Sequence, residues 1–146
     1  WGLSKPLTHF EEEIDFWNWA KDFNGSTIFR NLKTYEHSIE ALFEASMAGH
    51  EVIIISSKPW WAISDTLIWL GENKIPSKEI HFLEDKWTID CDVYIDDAPH
   101  QLENFVKHVP DKLILRFVRP YNRPVTGTKD INNWLEFNSL LESYNL

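Results

Sequence analysis

The sequence predicts an α/β fold in which a parallel sheet is sandwiched between helices. Three features predict it. Apolar strands alternate with helical stretches from residue 51 onward. The strand segments are short and several are β-branched, as in strands covered on both faces. Two helices precede the first strand and read as a separate small layer or cap. A chain of 146 residues is long enough for one domain with a real core.

Composition narrows the function. Apolar residues make up 43% and form no run of membrane-spanning length, so the expectation is a soluble globular protein with no membrane partner. A net charge of −9 argues against an extended nucleic-acid face, which needs clustered Lys and Arg. Any phosphate-bearing partner is then small and met by a local positive site. The single cysteine, Cys91, excludes an internal disulfide and a cysteine-based zinc site and fits a reducing cytoplasm. Nothing in the sequence fixes the oligomeric state, and an oligomer is compatible with it.

The elements follow in order. "THFEEEIDFWNWAKDF" is a helix with Thr8 and Glu11 as a capping box and Phe10, Ile14 and Trp17 at helical spacing. "NGS" at Asn24–Ser26 breaks it. A second helix spans 34–48, with Thr34 as N-cap and Gly49 as stop. "EVIII" (51–55) is a strand expected to be buried on both faces, and a helix follows over 60–73. "EIHFL" (79–83) and "DVYI" (92–95) are strands, 100–108 is a helix, "KLILRFV" (112–118) is a strand, and 131–143 is the last helix.

In such sheets ligands gather at the carboxyl ends of the strands. Ser56 and Ser57 end the first strand, where their hydroxyls can donate to a phosphate oxygen or simply cap the next helix. Lys86 follows the second strand and is either a compact charge for a phosphoryl group or a solvated lysine. The third strand ends in Asp96-Asp97. Adjacent carboxylates repel unless a cation or donor compensates them. They suit a hard cation such as Mg²⁺, unless Asp97 caps the helix and Asp96 sits in water. Together, hydroxyl, ammonium and acidic pair at successive strand ends describe a phosphoryl-transfer site. Trp60 or Trp61 can stack on a nucleobase or pack in the core. Arg116, Arg119 and Arg123 read as a solvated basic loop, His100 as a surface histidine unless it approaches the cation, and Cys91 as inert.

"EVIIISSKP", "FLEDKWTIDCDVYIDDAPHQL" and "RPYNRP" together resemble the haloacid dehalogenase superfamily of phosphotransferases, in its 5'-nucleotidase branch with the 5'(3')-deoxyribonucleotidases. The resemblance implies a Rossmann-like core over 41–146 and a partial helical cap over 1–40. It implies Lys86, Ser56 and Asp97 as catalytic residues, with Ser56, Ser57 and Lys86 on the phosphate and Trp60 as a substrate contact. Asp96 and Asp97 would serve a Mg²⁺ cofactor, Asp97 through the metal's waters or the local hydrogen-bond network. The implied activity is hydrolysis of nucleoside or deoxynucleoside 5'-monophosphates through an aspartyl-phosphate, in the cytoplasm.

That chemistry needs an aspartate nucleophile in a DxD motif on a central strand preceding the cap. No DxD follows an apolar strand upstream of Glu51, and "DCD" at Asp90–Asp92 precedes its strand rather than ending it. Residue 1 is Trp. The expectation is therefore an upstream segment, or a separate piece, that supplies the nucleophile strand between the "EVIII" and "DVYI" strands. Two rival expectations stand beside the nucleotidase. One is a nucleotide-binding or regulatory protein without catalysis, and the other is a phosphatase of another small phosphorylated metabolite.

Overall fold

A computed structural model describes residues 8–144. In chain order the elements are α1 (Glu13–Lys21), α2 (Ser38–Met47), β1 (Val52–Ser56), α3 (Ile63–Glu72), β2 (Ser77–Phe82), β3 (Val93–Asp96), α4 (Pro99–His108), β4 (Leu113–Phe117), β5 (Lys129–Ile131) and α5 (Leu135–Ser143). They form two compact units. One combines the chain up to Thr34 with Lys58–Ile75, and the other combines Tyr35–Ser57 with the chain from Pro76 onward.

The first unit holds α1, α3 and the short 3₁₀ turns Ile28–Arg30 and Trp60–Ala62. Aromatic rings carry its packing: Trp61 meets Trp17 and Phe29, and Phe16 and Trp19 both approach Phe10. Polar ties fix the turn before Leu32. Asp65 accepts the Thr27 amide at 2.6 Å, a bond that holds its carboxyl below the usual range. Arg30 pairs with Glu72 at 2.6 Å.

The helix starts differ from the sequence expectation. Thr8 accepts the Phe10 amide instead of closing a capping box, and α1 begins at Glu13 without a side-chain cap. In the second unit α2 begins at Ser38 rather than after Thr34. His37 precedes it at φ +60, and the Ser38 hydroxyl donates to the Tyr35 carbonyl at 2.7 Å. The far end of α2 follows expectation. Gly49 at φ +101 lets its own amide reach Ser46 and that of His50 reach Ala45, the paired bonds of a Schellman stop.

Helix α3 ends with the same two bonds, Lys74 to Gly71 and Ile75 to Leu70, yet Lys74 occupies the left-handed position at φ +53. A Cβ is disfavoured there. Lys74→Gly is therefore expected to raise stability by about 0.5–1 kcal/mol, read from urea denaturation midpoints.

The second unit is the α/β part, and all its strand pairs are parallel. Side-chain alternation along β3 and β4 explains its layers. Leu115 and Phe117 face one way and pack with Ala41 and Ala45 of α2 and Phe137 and Leu141 of α5. Tyr94 and Ile114 face the other way and pack with Leu102 and Phe105 of α4. Pro99 opens α4 at a position where its missing N–H costs nothing, and Lys107 and His108 close it where the helix end is negative.

Strand β5 was not expected. It is only three residues long, two of them exposed and polar, so no apolar run announces it. It takes Ile131 from the predicted last helix, which begins instead at Leu135. The larger departure concerns β1. Its apolar run is half-buried at every residue rather than buried on both faces. The strands fall into two sheets, β1-β2 and β3-β4-β5. Among the described residues β1 and β3 each have one neighbour only, so each presents an open edge. That is the physical reason an isoleucine-rich strand keeps exposure.

Candidate functional site

The carboxyl ends of the second unit's strands carry the residues of interest. Strand β2 runs out at Phe82, and its successor Leu83 donates its amide to the Ser56 carbonyl at 2.9 Å. The tip of β1 is thus stitched to the start of the loop that carries Lys86. The next carbonyl, of Glu84, accepts both the Lys86 amide at 2.9 Å and the Gln101 side chain of α4 at 3.2 Å. Lys86 then opens a single 3₁₀ turn, Lys86–Thr88, closed by the Thr88 hydroxyl on Asp85. Stacking of Trp87 on His108, with centroids 4.0 Å apart, ties that turn to the end of α4.

These constraints deliver the Lys86 ammonium to Asp96, the last residue of β3, at 2.7 Å. Both side chains are withdrawn from water, at 12% and 9% exposure. The other Asp96 oxygen accepts the Ala98 amide at 2.9 Å. Neither aspartate caps α4, whose N-cap is Ala98. Asp97 turns elsewhere: its carboxylate accepts the Tyr121 hydroxyl at 2.5 Å, and its carbonyl accepts the Asn122 side-chain Nδ2 at 2.9 Å. Burial first, then the bond to Asp97, raises the Tyr121 phenol far above its ordinary value, so the hydroxyl remains a donor. Two neighbouring negative charges coexist because each has its own donor.

The other sequence candidates separate. Ser56 and Ser57 are half-buried at the end of β1. Ser56 meets the Lys86 loop through its backbone carbonyl. Trp60 belongs to the first unit, 79% exposed with Lys21 at 5.8 Å from its ring, while Trp61 is absorbed in the aromatic cluster. The "DCD" acids, Asp90 and Asp92, are exposed and share Lys112, and they precede β3 at the end opposite Asp96, from which Asp92 is four strand steps, about 13 Å, away. Cys91 between them has its thiol pushed up by burial and then by the two acids, as suits an unreactive cysteine.

The basic loop is not simply solvated. Arg116 is buried and forks onto Asp130 with bonds of 2.7 and 2.5 Å, and Arg119 lies over the rings of Tyr35 and Phe117. Arg123 pairs with Glu103 at the surface. Sequence reasoning missed Gln101, Tyr121 and Asn122 as parts of this region. "PYN" was visible as a family resemblance, but nothing in its spacing gives the bonds it makes.

A hard cation could be held by Asp96. Its two hydrogen bonds use two of about four lone-pair sites, which leaves room for one metal contact. Among the described residues no group of three or more His, Cys, Asp or Glu could hold a metal. Asp96 would thus supply one oxygen ligand to such a cation.

The parallel α/β unit, with a lysine–carboxylate pair at its strand ends, is consistent with the Rossmann-like core that the sequence resemblance implies. The particular family follows from comparison with known proteins. The family model "5' nucleotidase, deoxy (Pyrimidine), cytosolic type C protein" matches residues 1–144, and the chain belongs to that family. It is also 27% identical over 118 residues to a protein of Oceanobacillus iheyensis named "Putative nucleotidase". The match covers 75% of this chain and 62% of that relative.

Proposed function

We propose that the protein containing this chain is a Mg²⁺-dependent phosphomonoesterase acting on nucleoside or deoxynucleoside 5'-monophosphates in the cytoplasm. The observation that carries the reading is the withdrawn Lys86–Asp96 pair at a strand end, in a chain of a nucleotidase family. Among the described residues no helix is long and apolar enough to cross a membrane.

In this reading the Lys86 ammonium neutralises charge on the transferring phosphoryl group, and Ser56, with Ser57 beside it, donates to a phosphate oxygen. Asp96 is the metal ligand and Asp97 acts through the hydrogen-bond network around it. Bound Mg²⁺ would supply charge neutralisation at the phosphate. The nucleophile is an aspartate on a segment upstream of Trp1 or on a separate piece, whose strand would enter between β1 and β3. Its carboxylate oxygen forms a bond to phosphorus as the bond to the ester oxygen breaks, and the nucleoside leaves with a proton from the second aspartate of the same DxD motif, the acid/base. Water then gives a proton back to that acid/base aspartate and attacks phosphorus, and the phosphorus–carboxylate bond breaks to release inorganic phosphate and restore the nucleophile. Trp60 is a candidate for stacking on the base.

The test is phosphate release from a panel of nucleoside monophosphates and sugar phosphates, with and without Mg²⁺, using the whole protein. Turnover of nucleotides that stops on chelation is the expected result. Preference for sugar phosphates would transfer the reading to another metabolite. Tight nucleotide binding with no release would make the protein a binder.

A further inference from the structure

Asn122 has spent its whole hydrogen-bonding capacity. A carboxamide offers two donors and two acceptor positions. Its oxygen accepts from Arg116 Nη1 at 3.1 Å and from the Arg119 amide at 3.1 Å. Its nitrogen donates to the Asp97 carbonyl at 2.9 Å and the Phe117 carbonyl at 2.8 Å. Those partners lie on three separate stretches: the turn after β3, the end of β4, and the loop between β4 and β5. One side chain therefore fastens the acidic turn to the strand next to it.

Its neighbour Tyr121 reaches the same residue from the other side, donating to the Asp97 carboxylate. Asp97 is held at its carbonyl and at its side chain by consecutive residues of one loop. Asp97 sits between Asp96 and Ala98, and those two are joined by the bond from the Ala98 amide to Asp96 Oδ1. A rotation of the peptide between Asp97 and Ala98 would break that bond and remove one of the two holds on the Asp96 carboxylate, leaving only Lys86 to aim it.

We propose that Tyr121 and Asn122 are positioning residues that clamp Asp97 and thereby keep the Asp96 carboxylate aimed at Lys86 and at a bound divalent cation. The inference rests on the reading of Asp96 as a metal ligand. It assigns the second acid of the pair a holding role. Chemistry favours asparagine at 122. An aspartate there would lose both donors and face two carbonyls, and an alanine would leave all four partners unsatisfied.

The experiment compares wild type, Tyr121→Phe, Asn122→Ala and Asp96→Asn. Amide hydrogen exchange at Ala98 reads the clamp without any metal, with Leu115 in β4 as the internal reference. Titration calorimetry with Mg²⁺ reads the site. In both loop variants Ala98 is expected to exchange at least about tenfold faster while Leu115 changes little, the pattern of local rather than global opening. Mg²⁺ affinity should fall about tenfold or more, as when the support of a metal ligand is removed. Unchanged Ala98 exchange in the variants overturns the clamp. Should Asn122→Ala fail to fold, the single hydroxyl lost in Tyr121→Phe decides. If Asp96→Asn binds Mg²⁺ as tightly as wild type, the reading of Asp96 fails, and Ala98 exchange still decides the clamp.

Discussion

On the proposed function, Lys86→Ala in the whole protein is expected to lower phosphate release by about a hundred- to a thousandfold, the cost of removing one preorganised charge from a phosphoryl site. The lysine is 12% exposed and 2.7 Å from Asp96, so no bulk cation replaces it freely. Asp96→Asn should be as damaging for a different reason, since an amide is a poor ligand for a hard cation. Both variants should keep the far-ultraviolet spectrum of the wild type, because neither residue belongs to the apolar clusters. Both variants should also lose some stability, since each leaves a withdrawn charge without its counter-charge. A near-normal rate in either variant would remove these residues from the chemistry.

The second large effect concerns Asp130→Asn. The Arg116 side chain is 5% exposed and its forked partner 46% exposed. Removing the partner strands a buried guanidinium, which costs about 3–5 kcal/mol when both groups are buried. Solvent around Asp130 screens part of that, so about 2–3 kcal/mol is expected in urea denaturation. Acid should expose the same pair. The bond from Arg116 lowers the Asp130 carboxyl below its ordinary value. A carboxyl lowered by folding stabilises above its unfolded pKa, about 4, and that contribution is lost as pH falls through the folded value. Wild type should therefore lose stability below about pH 4 more steeply than Asp130→Asn does.

Much of the second unit was legible because its period is simple. The β-branched run at 52–55, the four-residue strand before Asp96 and the helix after Pro99 each carry a pattern that local physics settles. The helix starts were not legible. Thr8 and Thr34 are good capping residues in the wrong places, since caps are decided by where packing lets the backbone enter the helix. Strand β5 was hidden because its pairing with β4, and not its composition, makes it a strand. At the site, the strand-end rule brought out Ser56, Lys86 and the acidic pair. It could not divide the pair between Lys86 on one side and Tyr121 with Asn122 on the other, because that division depends on a loop 24 residues further along the chain.

Among the described residues β1 and β3 each keep an unpaired edge, which has a consequence for handling the purified chain. Unpaired strand edges are templates on which other molecules lay down their own strands, and the isoleucines of β1 add adhesive surface to one of them. Self-association should therefore set in as the solution is concentrated, and a short synthetic peptide of suitable β-forming sequence, seated along those edges, should delay precipitation.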